Sequence, residues 1–335
     1  MALVKHPVYV RLFTSCVAIF WGSWIVIGII IRFLSSPRKF LYAKEYTKLP
    51  DCAYESSLGR RGAVDIDTAV TNWGTLRIKY VSNEEQGKPL VLLLHGFPES
   101  WVVAVDMRGY GDSDKPQELE NYALDYLVED VPSLIRKLGY EKATVIGHDW
   151  GGVITWQFAA KYPEMCEKAI VLNAPHPSVH FKYLTGSIKQ FLASWYMFYF
   201  LIPYLPEIVM RSNDFAMLAA TLRGRKAGVK NRNNLTKEDL DVFKYSIATW
   251  EARVASHNYI RANFTYAATI PRGKITVPML LLWGTEDLFL TKQIAEVSVS
   301  KAEKCKLVFI EGASHWVQQD KPEEVNQHIK TFLSS

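Results

Sequence analysis

A chain of 335 residues, 49% hydrophobic and 22% charged, carries enough apolar material for a sizeable core, and its 10 Trp, 17 Tyr and 16 Phe exclude disorder. Four Cys are too few for a disulfide-built scaffold, and a net charge of +5 without a basic stripe excludes a nucleic-acid binder. From Leu12 to Ile31 the chain runs 20 residues without a charge. As a helix that run is roughly 30 Å long, the thickness of a bilayer core. A cleaved signal peptide and a buried core helix are the competing readings. The run is longer than a signal's apolar region and ends in Arg32-Phe33-Leu34 without a small-residue cleavage site, so residues 1–34 read as a single-span membrane anchor. Lys5, Arg11 and the amino terminus precede the run, whereas Arg32, Arg38, Lys39 and Lys44 follow it. The excess on the C-terminal side predicts a cytosolic catalytic domain, with the endoplasmic reticulum as the expected membrane. Cys52, Cys166 and Cys305 are then free thiols. Glycans on the triplets starting at Asn234 or Asn263 would overturn that orientation.

Residues 35–62 are polar and basic and read as a linker. An alternation of strands and helices follows. Thr75–Ser82, Leu90–His95 and Val102–Asp106 are strand-like, Leu124–Leu138 has helical spacing, and Ala143–Gly147 is a short buried strand. Gly151–Lys161 reads as a helix stopped by Tyr162-Pro163, and Lys168–Leu172 as a strand. From Ser178 to about Tyr266 the texture is helical and aromatic. Then come strand Met279–Trp283, a helix near Lys292–Val299, strand Lys306–Ile310 and a helix over Pro322–Leu333. This predicts an α/β protein with a mostly parallel sheet: core residues 63–177, a helical cap over 178–266, and core again over 267–335.

The strand before Gly147-His148-Asp149-Trp150-Gly151-Gly152 leads directly into a helix. Small residues around a central Asp149 suit a sharp strand-to-helix turn that exposes a nucleophile. An N-cap Asp before a Gly-rich helix start is the plainer reading of this segment alone. Two more segments decide against it. Trp283-Gly284-Thr285-Glu286-Asp287 follows one strand, and Glu311-Gly312-Ala313-Ser314-His315-Trp316 follows the next. The chain order Asp149, Asp287, His315 is that of nucleophile, acid and histidine in hydrolase sheets, with all three at strand C-terminal ends. Glu286 is the competitor for the acid. His176 and His180 are four apart, but Pro177 between them and the lack of an acidic partner argue against a metal site, and no cofactor is implied.

The segments HGFPESW (95–101), DMRGYGDSDKP (106–116), GHDWGG (147–152), WGTEDLF (283–289) and ASHWVQQDKPEEVN (313–326) together resemble the epoxide hydrolases of the α/β-hydrolase superfamily, over roughly residues 70–333. The anchor resembles that of membrane-bound relatives of the soluble enzyme. The resemblance implies an α/β-hydrolase fold and the conversion of a small-molecule epoxide to a vicinal diol. Asp149 attacks an epoxide carbon to give an alkyl ester. His315, oriented by Asp287, activates the water that hydrolyses it, while the backbone N–H groups of Phe97 and Trp150 hold the oxyanion. Lid tyrosines protonate the ring oxygen. The first falls on Tyr196, so that Phe97, Trp150 and Tyr196 are the expected substrate contacts.

Two departures from the family pattern stand out. Where the second lid tyrosine is expected, in Asn258-Tyr259-Ile260-Arg261, the position holds Ile260. Tyr259 is the nearest substitute, yet it lies about 100° away around a helix. Between strands Leu90–His95 and Val102–Asp106 stand only Gly96 to Trp101, with Pro98 constraining the loop, where family members place a helix. Adjacent parallel strands need a crossover of about a dozen residues. The junction therefore reads as a missing segment, and a taut loop is expected to draw Phe97 away from the oxyanion. A haloalkane dehalogenase or an inactive ligand-binding protein are the alternative functions, and an aromatic lid beside a membrane suggests a lipophilic epoxide such as that of a fatty acid.

Overall fold

The computed structural model describes residues 2–54, 59–68, 74–83, 87–97 and 105–335. Ten strands are formed among them: β1 Val4–Lys5, β2 Arg60–Asp67, β3 Thr75–Ser82, β4 Leu90–Leu94, β5 Val105–Asp106, β6 Ala143–His148, β7 Cys166–Leu172, β8 Tyr266–Ala267, β9 Met279–Gly284 and β10 Cys305–Ile310. Eight of them form one sheet in the order β10-β9-β7-β6-β4-β5-β3-β2. From β10 to β5 every neighbouring pair is parallel, and β5-β3 and β3-β2 are antiparallel. This is the mostly parallel α/β sheet anticipated from the strand–helix alternation.

The central strands β6 and β9 are buried along their whole length, which is why they read as unbroken apolar runs and not as alternating ones. Successive side chains serve opposite faces. Val145, Val171 and Leu281 join the large core beneath the Leu124–Lys137 and Trp150–Lys161 helices. Ile146, Ile170, Leu172, Leu280 and Leu282 pack on the other face with Val317 and Val325 of the C-terminal helices. Each buried aliphatic side chain of this kind contributes about 1.5–3 kcal/mol.

Between β7 and β8 the chain forms helices Pro177–Gly186, Ile188–Ala193, Trp195–Phe200, Leu205–Arg223, Lys237–Ser246 and Trp250–Thr265. They enclose a second core around Tyr199, Phe200, Phe215 and Leu218, above the C-terminal ends of the parallel strands. The Leu205–Arg223 helix is broken at Asn213, Asp214 and Phe215, whose φ values of 50°, 54° and 58° are left-handed and strained for residues with a Cβ. Asp214 is held there by Lys244 Nζ at 2.8 Å and the backbone N–H of Lys44 at 3.0 Å.

The N-terminal helix covers Val8–Ser35 and has an 18-residue stretch of mean hydropathy 2.2, long and apolar enough to span a membrane. One of its sides meets the lid through Thr14, Ala18 and Gly22. A Cβ on Gly22 would lie 2.1 Å from Ile202 Cδ1, so a larger residue here would require the Ile202 side chain to shift.

Two expectations are corrected near the sheet's other edge. The 35–62 stretch is no simple linker: Pro37–Leu41 and Asp51–Tyr54 are helical turns, and β2 begins at Arg60. The charges of Arg60, Arg61 and Asp65 disguise this edge strand, which is solvent-facing on one side. The strand expected over Val102–Asp106 is formed at Val105–Asp106; Pro98 and residues 99–104 lie outside the described residues. Val105 pairs with Leu94, so β5 begins level with the end of its parallel neighbour β4.

Candidate active site

Asp149 sits between β6 and the Trp150–Lys161 helix with φ 49° and ψ −118°, a strained conformation that lifts its carboxylate above the sheet. Close packing holds the turn. A Cβ on Gly151 would lie 2.2 Å from the Leu94 carbonyl oxygen, and one on Gly96 would lie 2.3 Å from Asp149 Cβ. These contacts explain why small residues surround the Asp.

The loops after β4, β9 and β10 meet at this carboxylate. The Phe97 backbone N–H donates to Asp149 Oδ1 at 2.9 Å. His315 Nε2 lies 3.4 Å from Asp149 Oδ2, and His315 Nδ1 lies 2.7 Å from Asp287 Oδ2. A carboxylate only accepts, so Nδ1 donates to Asp287, and Nε2 faces Asp149. Asp287 is fixed by the Asn173 side chain at 2.7 Å and by the backbone N–H groups of Phe289 and Leu290 at 2.8 and 3.0 Å. Glu286, the competing acid, instead points to solvent and pairs with Lys230 at 2.9 Å.

Electrostatics couple these groups. Burial alone would raise the Asp149 pKa, but the hydrogen bond and charge of His315, with help from His148 and the Phe97 N–H, leave it below the usual carboxylate value. Burial would lower His315, yet the Asp287 charge and the bonds to Asp149 and Asp287 outweigh it and push the imidazole up to about 10. Tyr196 has its phenol pKa raised well above the ordinary value by burial and by the charges of Asp149 and Asp287, so it stays protonated.

A cavity of about 450 Å³ opens above the carboxylate, lined by Phe97, Trp150, Tyr196, Ile260, Phe289 and His315 among others. Its walls are apolar apart from a few convergent polar groups, the form of a small-molecule site. Residues 89–322 match the alpha/beta hydrolase fold family. The chain is 40% identical over 301 residues to Epoxide hydrolase 4 of Homo sapiens, covering 85% of this chain and 82% of that protein. This chain belongs to the epoxide hydrolase family of α/β hydrolases. It is also 33% identical to Epoxide hydrolase 3 of Mus musculus, over 99% of this chain and 93% of the relative. That alignment runs over 351 positions against a chain of 335 residues, so the relative has residues with no counterpart here. Among solved structures, a Bacillus megaterium epoxide hydrolase with a bound inhibitor superposes with a TM-score of 0.71 at 28% identity, covering 82% of this chain and all of that one.

Within this epoxide hydrolase fold, Tyr259 is not at the cavity. It is buried, and its hydroxyl donates to the Arg108 carbonyl at 2.7 Å. The helical angle between adjacent positions sends Tyr259 into the core and Ile260 into the cavity. The expectation that the short loop would pull Phe97 away is likewise corrected, since its N–H reaches the nucleophile. His95 helps to hold that loop: its Nε2 accepts from the Met107 N–H at 3.1 Å, just past β5.

Two residues escaped sequence reasoning as parts of the site. His180 lines the cavity, and its Nε2 is buried without a hydrogen-bond partner. Burial pushes its pKa down to about 4 against the opposing charge of Asp149, so the ring is neutral. Asp320 is buried and accepts from the Ser314 N–H and hydroxyl at 2.7 and 2.6 Å and from the Asn231 N–H at 3.2 Å. It thereby fixes the loop that carries His315. His176 is engaged locally, with Nδ1 2.9 Å from the Ser178 hydroxyl at the start of its helix.

Proposed function

We propose that this protein hydrolyses a lipophilic epoxide to a vicinal diol through an ester on Asp149. The observation that carries the reading is the contact of one carboxylate with both a backbone N–H and the Nε2 of a carboxylate-backed histidine. Asp149 attacks a ring carbon as the C–O bond breaks and the ring oxygen takes a proton from Tyr196. His180 supplies the second hydrogen bond to that oxygen in place of the tyrosine lost at Ile260. A carboxylate is the apt nucleophile because it leaves a hydrolysable ester, whereas a serine would leave an ether.

The second step follows from the charges. Alkylation abolishes the negative charge of Asp149, one of the two carboxylates that raise the His315 pKa. The imidazole then releases its proton more readily and serves as a base toward water. Hydroxide adds to the ester carbonyl, the N–H groups of Phe97 and Trp150 stabilise the oxyanion, and collapse frees the diol and the Asp149 carboxylate. Among the described residues, the absence of charged side chains other than Asp149 and His315 from the cavity wall supports an apolar substrate, for example a fatty-acid epoxide. We infer from the cations Arg32, Arg38, Lys39 and Lys44 that the catalytic domain faces the cytosol, with the endoplasmic reticulum as the proposed membrane. A glycan on the exposed Asn234 would refute that placement; Asn263 is no reporter, because its amide is spent on Tyr122, Leu124 and Tyr259.

A single turnover in oxygen-18 water tests the mechanism. Label is expected in the Asp149 carboxylate with unlabelled diol, and label in the diol of that first turnover would mean direct attack by water.

A further inference from the structure

Both ends of the long apolar helix are fastened to one domain. Before it, β1 pairs antiparallel with β8, and the His6 N–H donates to the Thr265 carbonyl at 2.9 Å. After it, the Tyr42 carbonyl accepts from the Asp214 N–H at 2.8 Å, and the Tyr46 hydroxyl accepts from Lys244 Nζ at 2.9 Å. In between, Gly22 seats on Ile202 and Trp21 packs on Trp195 at 6.2 Å. A helix that crosses a bilayer has its ends on opposite sides of about 30 Å of hydrocarbon. A domain on one side cannot hold both ends.

We propose that Val8–Ser35 lies along a single leaflet as a monotopic anchor, with the lid face beside it resting on the lipid. The side turned away from the protein presents Leu12, Phe13, Ile19, Phe20, Trp24 and Ile27, all exposed. The lid extends this surface with Ile188, 81% exposed, and Leu192. The first 44 residues hold six cations, Lys5, Arg11, Arg32, Arg38, Lys39 and Lys44, and no acidic residue. The cations stand at both ends of the helix, as anionic headgroups on one side of a membrane require, and the occupant of this face is therefore an anionic phospholipid leaflet. The catalytic cavity reaches the surface at the same place. His6 and Phe181, stacked at 5.6 Å, line the cavity, as does Trp195 against the helix. Resting on the function proposed above, this makes the leaflet the source from which the epoxide enters.

The topology test needs no activity. The full chain, tagged at both termini, is inserted into sealed microsomes and treated with protease from outside. Both tags are expected to share one fate, both cleaved or both protected. One cleaved and one protected, or a protein recovered in the supernatant after a high-salt wash, overturns the proposal. For the entry route, Ile188→Asp with Leu192→Asp is expected to raise KM about tenfold for a vesicle-dissolved epoxide and leave a water-soluble epoxide unchanged. Equal KM values for the vesicle-dissolved epoxide before and after substitution overturn that part, and inactivity toward both epoxides in the unsubstituted protein would count against the enzymatic reading alone.

Discussion

The two halves of the sheet are built to different standards. On one side, β6, β7, β9 and β10 run in long parallel registers, with full helices between them. On the other, β5 has two residues and a single registered partner on β4, and the connection before it occupies only residues 95–104. The first half carries Asp149, Asp287 and His315 at its strand ends. The second supplies one backbone N–H, that of Phe97. The short β4–β5 connection therefore touches the candidate site through one described hydrogen bond, from the Phe97 N–H to Asp149.

That contrast can be broken in several ways. Asp149→Ala should remove diol formation by about 10⁴-fold or more, since no other carboxylate lines the cavity among the described residues to form a hydrolysable ester; product analysis checks it. His315→Gln should leave alkylation intact and trap the adduct, visible as a mass increase on the Asp149 peptide. Phe97→Pro tests the weak half directly. Without that N–H, ester hydrolysis should slow by about 10²–10³-fold while the triad geometry persists. A loss as large as that of Asp149→Ala would mean that the crossover matters for more than one donor.

Asp320→Ala leaves Ser314 and Asn231 without their buried acceptor. It should cost about 2–4 kcal/mol, read as a lower urea midpoint, because unpaired buried donors are expensive. His180→Phe should lower kcat about tenfold, and adding Ile260→Tyr should return most of it, a pattern that lost packing would not give. The smallest effect concerns pH. Alkylation needs ionised Asp149, whose pKa is lowered, so it persists into acid. Hydrolysis needs neutral His315 and slows as pH falls and the ring protonates. Acid should therefore accumulate the ester, and rapid-quench mass spectrometry would show its fraction rising as pH drops.

The sheet and the triad were legible because their signals are local. A strand, a tight turn of small residues and a helix occupy adjacent positions, and three such turns in a fixed order define one edge. Asp320 was legible only in part: Ser314 lies six residues before it, whereas Asn231 reaches it only through the lid–core contact. The edge strand β2 hid behind its charges. The displacement of Tyr259 was legible in part, because a 100° step on a helix separates it from Ile260; its partner, the Arg108 carbonyl, was not. The tie between the amino-terminal strand and Tyr266–Ala267 lies beyond any local pattern, as it joins positions far apart in the chain.

The bond from Tyr259 to the Arg108 carbonyl has a further consequence. Arg108 is itself buried, with Nε 2.9 Å from Asp130 and Nη1 2.7 Å from the Asn121 carbonyl, so this lid helix is tied through the turn after β5 to the Leu124–Lys137 helix. A motion that opens the cavity on this side has to break that bond, whereas the Leu205–Arg223 helix, which lines the cavity through Met210 and Leu218, is already interrupted at Asn213–Phe215.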